Sequence, residues 1–71
     1  MLVHTESGSV YQFEDDMVRR VGTRDMRGDG EWLPYRMSGS VEVGQPLVMS
    51  ITLPGGIDTV RMTSHVVGVT V

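Results

Sequence analysis

The sequence predicts an all-β domain, a small antiparallel barrel of SH3-like or meander type with six or seven short strands. Three observations carry that reading. Twelve of the 71 residues are valine while alanine and lysine are absent, so the best helix formers are scarce and a leading strand former is plentiful. Residues 47–53 alternate Leu47, Met49, Ile51 and Leu53 with Val48, Ser50 and Thr52, the period of a half-buried strand. Clusters of Gly, Pro, Ser and Asp punctuate the chain about every ten residues, a spacing typical of small sandwiches and barrels.

Taken in order, Leu2–Thr5 is a short strand that ends in Glu6-Ser7-Gly8, and residues 9–14 alternate Tyr11 and Phe13 with Gln12 and Glu14. The pair reads as a hairpin. Asp15-Asp16 turns the chain into Met17–Val21, completing a three-stranded meander. A single helical turn over residues 15–20, capped by Asp15, is the weaker alternative because Val18 and Val21 favour extended backbone. Residues 22–31 are charged and glycine-rich with no apolar period, and form the main loop. Residues 32–37 resume a strand in which Pro34 cannot donate to a ladder, which points to an edge or a bulge. Ser38-Gly39-Ser40 turns the chain into a short strand at 41–43, and Gly44-Gln45-Pro46 turns it again. Residues 47–53 form the clearest strand, and Pro54-Gly55-Gly56 closes a hairpin onto residues 57–63. A last strand occupies residues 66–71. The expected core is Leu47, Met49, Ile51, Val60, Met62, Val67 and Val69.

Residues 1–71 are long enough for one domain, and a sheet curled on itself removes the exposed edges that such a short chain cannot otherwise cover. With no cysteine there are neither disulfides nor thiolate zinc sites, which leaves self-association as the expected source of extra stability. The C-terminal segment argues the same way. Val66 lies on one face and Val67, Val69 and Val71 on the other, so a single barrel interior does not cover both. No apolar run approaches the ~18 residues of a membrane span, and the N-terminus does not read as a signal peptide. A cytoplasmic location without membrane contact is therefore expected. The formal net charge of -3 argues against nucleic acid as a partner.

Four of the six arginines, Arg19, Arg20, Arg24 and Arg27, fall on a strand end and the glycine-rich loop that follows. Guanidinium forks and open backbone could bind an anion, although Asp25, Asp29 and Glu31 reduce the local positive potential. Trp32 and Tyr35 flank Pro34 and could present an aromatic recognition surface, or belong to the core. His4 and His65, with Glu6 or Asp58, have no spacing that specifies a metal site, and neither a metal nor a cofactor is expected. Arg27-Gly28-Asp29 spells an integrin-type tripeptide whose chance rate is high. No nucleophile elbow or glycine-rich dinucleotide fingerprint is present, so the chain does not read as an enzyme.

Over nearly its full length the chain resembles short, mostly uncharacterised β proteins encoded by bacteriophages of actinobacteria. The resemblance lies in Val3-x-Thr5-x-Ser7-Gly8-Ser9-x-Tyr11, Val18-Arg19-Arg20-Val21, Asp29-Gly30-Glu31-Trp32, Val43-Gly44-Gln45-Pro46, and Arg61-Met62-Thr63-Ser64 before Val66-Val67. Such chains often have proline where this one has His65. The resemblance implies a phage-type genome, a host-cytoplasmic location and a small accessory role, and it carries no functional residue. The function expected is a non-enzymatic, homo-oligomeric protein-interaction module that engages a host or phage protein through residues 22–35. Two alternatives stand beside it. One is a sponge for an anionic nucleotide or similar small molecule, using Arg19, Arg20, Arg24 or Arg27 with Trp32 or Tyr35. The other is a minor structural component of a virion.

Overall fold

A computed structural model describes residues 1–21 and 30–71. Six antiparallel strands follow one another around a closed, barrel-like ring: β1 (Leu2–Thr5), β2 (Val10–Glu14), β3 (Met17–Val21), β4 (Leu33–Met37), β5 (Pro46–Leu53) and β6 (Ile57–Thr70). Each strand pairs with the next in sequence, and β6 returns to pair with β1. The ring is therefore a pure meander, and every described strand has a neighbour on both sides. Apart from Gly30 and Glu31, the expected loop at 22–31 lies outside the described residues.

The tight connections follow from residue type. Asp15 takes a left-handed φ of 50° between β2 and β3, a conformation that aspartate tolerates better than most side chains. This two-residue turn replaces the alternative helical turn. Between β5 and β6, Pro54 supplies a fixed negative φ and Gly55 a φ of 96°, the residue types that a type II turn requires, and Gly56 N–H donates to the Leu53 carbonyl at 3.0 Å. Leu53 and Ile57 close that hairpin as direct partners.

The core consists of Val3, Tyr11, Phe13, Val18, Leu47, Met49, Ile51 and Val66, with Leu33, Tyr35, Met37, Val41 and Leu53 packed around it. Leu47, Met49 and Ile51 point inward as the alternation of β5 demands. The expected core positions of β6 are exposed instead, including Val69, which lies opposite buried Val3 on the inner face. Val60 is 73% exposed, Met62 70%, Val67 56% and Val69 40%, while Val66 is 1% exposed. The reason is register. Directly opposed residues share a face of the sheet, and the three-residue turn pairs Ile51 with Thr59 and Met49 with Arg61. Thr59 and Arg61 therefore follow β5's apolar residues inward, and Val60 and Met62 face out.

Further corrections concern element boundaries. Residues 57–63 and 66–71 are not two strands, because β6 runs unbroken from Ile57 to Thr70. Two bulges let it serve both neighbours. Pro46 pairs with His65 and Val48 with Met62, so Leu47 faces both Thr63 and Ser64. Leu47 N–H donates to Thr63 Oγ1 at 3.0 Å at that point. The register slips again between His4 and Thr5, where Val67 is the extra residue. Each bulge re-aims the side chains that follow it and increases the local bend, so that one strand crosses from β5 to β1. Residues 41–43 form no strand. Pro34 pairs with Met17 in the short β3–β4 seam that otherwise pairs only Val18 with Leu33, and because the β4–β5 register begins at Tyr35, its other flank is a ladder edge, as a residue without an N–H requires.

Candidate functional site

The side chains expected to form one binding surface are distributed over three places. On the outer face, Arg19 Nε donates to Gln12 Oε1 at 2.8 Å, and the guanidinium carbon lies 4.7 Å from the Trp32 ring centroid. Arg19 and Gln12 are direct partners in the β2–β3 ladder, so this cluster follows from register. Arg20, one residue on, is opposite buried Tyr11 and takes the inner face. Tyr35 packs edge-on against Phe13 with centroids 5.0 Å apart, and its hydroxyl donates to the Asp15 carbonyl at 3.3 Å. It closes the core rather than standing beside Trp32. Arg24 and Arg27 lie outside the described residues.

Two features that the sequence did not single out have the geometry of sites. The first is an open cavity of about 280 Å³ between the β1–β2 turn and the first bulge of β6, whose wall includes Ser7, Ser9, Tyr11, Arg20, Arg61 and Met62. The turn is held to the bulge by hydrogen bonds: Ser7 N–H donates to Ser64 Oγ, and Ser64 Oγ–H to Ser7 Oγ, each at 3.1 Å. Buried Thr5 donates from Oγ1 to the Ser9 carbonyl at 3.0 Å. Arg61 reaches this place because it is opposite Met49, which is fully buried. Nothing in the local sequence marks Arg61, because its inward direction follows from the register of β6 against β5.

The second feature is the outer face of β5 and β6. Val48 and Met62 are direct partners there, as are Ser50 and Val60, so Val48, Val60 and Met62 form one apolar patch. Arg36 is opposite Ser50 on the β4 side, and Asp58 is opposite Thr52, whose Oγ1 donates to Asp58 Oδ1 at 2.7 Å. Arg36 and Asp58 line a groove of about 680 Å³ beside the patch. Neither forms an ion pair with a described residue.

The histidines are separate. His4 is in the β1 ladders, while His65 Nδ1 lies 3.9 Å from Glu6 Oε2 on the surface. Among the described residues, no group of three or more His, Cys, Asp or Glu side chains is placed to hold a metal. No described helix is long and apolar enough to cross a membrane. In comparisons with known protein families, curated proteins and solved structures, the chain matches none of them.

Proposed function

We propose that this protein is a non-enzymatic interaction module that self-associates through the outer face of β5 and β6. The observation that carries the reading is the exposure of Val60 and Met62, 73% and 70%, beside Val48 on the same face. A continuous apolar patch on so small a domain costs solubility unless another surface covers it. Each described strand has a partner on both sides of the ring, which favours association face to face through side chains over strand addition at an edge.

A second copy of the chain fits the patch by charge. Arg36 and Asp58 flank the apolar centre with opposite sign, and a two-fold arrangement can place the cation of one copy against the carboxylate of the other. This face is proposed beside the loop-centred contact through residues 22–35, of which 22–29 lie outside the described residues. A phage-type accessory role in a host cytoplasm, as the resemblance implies, is compatible with such a module and belongs to the same proposal.

The test is light scattering coupled to size exclusion at micromolar concentration. The parent chain should elute at twice the monomer mass, and a Val60→Asp plus Met62→Asp variant should elute as a folded monomer. A parent that stays monomeric, or a double variant that stays dimeric, overturns the proposal. A charge-reversed pair, Arg36→Asp with Asp58→Arg, should associate with itself again where either single change does not.

A further inference from the structure

We infer that the cavity at the mouth of the ring binds a small phosphorylated anion, with the Arg61 guanidinium as its principal ligand. Arg61 points toward the inner face of the ring, opposite Met49. Arginine is seldom placed on the inner face of a small barrel, because removing a guanidinium from water is costly unless an anion or several acceptors receive it. Here the residue is half-buried and directly opposite fully buried Met49, and its side chain makes no hydrogen bond or ion pair with any described residue.

The wall around Arg61 suits a phosphoryl group. Arg20 contributes a second guanidinium to it, in addition to an interaction that Arg20 already makes within the chain. Ser7 and Ser9 bring hydroxyl groups, and among the described residues no carboxylate lines the cavity. A carboxylate has two oxygens, which one guanidinium fork can satisfy. A phosphoryl group carries more oxygens and close to two negative charges, enough for both arginines and the hydroxyls together. Tyr11 is buried and offers no open ring for a base to stack on, so recognition centres on the phosphoryl group itself.

The competing account is that Arg61 only lays its aliphatic stem over the core and extends its head to water. Thermal unfolding during titration with sodium pyrophosphate, inorganic phosphate and acetate at constant ionic strength separates the two. A ligand that binds only the folded state raises the melting temperature in a saturable manner. Pyrophosphate and phosphate should do so and acetate should not. Arg61→Met keeps an apolar stem and should fold with the response abolished, whereas Arg61→Lys keeps the charge without the fork and should weaken binding by about tenfold. If Arg61→Met does not fold, the lysine variant decides. No saturable response to either phosphate probe, an equal response to acetate, or an unchanged affinity in the folded variant overturns the inference. Self-association through Val60 and Met62 is read separately by light scattering, so failure of one proposal leaves the other testable.

Discussion

Strands β5 and β6 are the two arms of one hairpin, and their first halves have similar alternating compositions, yet they bury opposite things. In β5 the apolar residues Leu47, Met49 and Ile51 lie inside. In β6 the apolar residues Val60 and Met62 lie outside, and Thr59 and Arg61 take the inner positions. The difference teaches that alternation identifies two faces without saying which is the core. Register makes that choice, and the turn sets the register.

The largest expected effect tests the comparison directly. Ile51→Ala should cost ~2–5 kcal/mol in denaturant unfolding at any protein concentration. Val60→Ser should change the stability of the dilute protein by less than ~0.5 kcal/mol, with a larger loss only at concentrations where copies associate. A dilute Val60→Ser chain that loses as much as Ile51→Ala would show that β6 is turned the other way.

A smaller effect is expected at the turn itself. Gly55→Ala places a side chain at a φ of 96° with open space around the new Cβ, so the loss reports backbone conformation rather than a clash. It should amount to ~1–2 kcal/mol, measured by thermal melting. A neutral result would remove the turn as the element that sets the β5–β6 register. The smallest effect, of opposite sign, belongs to Gly68 in β6, which has neither a positive φ nor a neighbour within 4 Å of an added Cβ. Gly68→Ala should stabilise the chain by ~0.4–1 kcal/mol, because it restricts the unfolded state at no native cost. A destabilised Gly68→Ala variant would mean that β6 needs glycine to bend near its second bulge.

The meander was legible because its causes are local. Asp15-Asp16 and Pro54-Gly55-Gly56 are turn chemistry, the alternation of β5 is strand chemistry, and the lack of alanine and lysine disfavours helices, so fold class and strand order needed no distant information. The binding surfaces were less legible. Arg19, Arg20, Trp32 and Tyr35 are close in sequence, but alternation sends Arg19 and Arg20 to opposite faces, and Tyr35 goes to Phe13 while Trp32 goes to Arg19. Arg61 is not legible as an inward residue, because the alternation of Val60 and Met62 is equally that of a core face.

What the sequence determined by itself was that this chain forms short antiparallel strands joined by tight turns, since φ preferences and side-chain alternation act over a few residues. Which face of β6 meets the core was decided only in the tertiary structure. A two-residue loop at Gly55-Gly56 would pair Val60 with Ile51, whereas the three-residue loop pairs Thr59 with it, and a single residue of register exchanges every inward side chain for its neighbour. The bulge at Thr63-Ser64 reverses that assignment to bring Val66 inward and the one at Val67 restores it, because β6 has to satisfy the ladders of β5 and β1 at once. No local preference encodes that requirement.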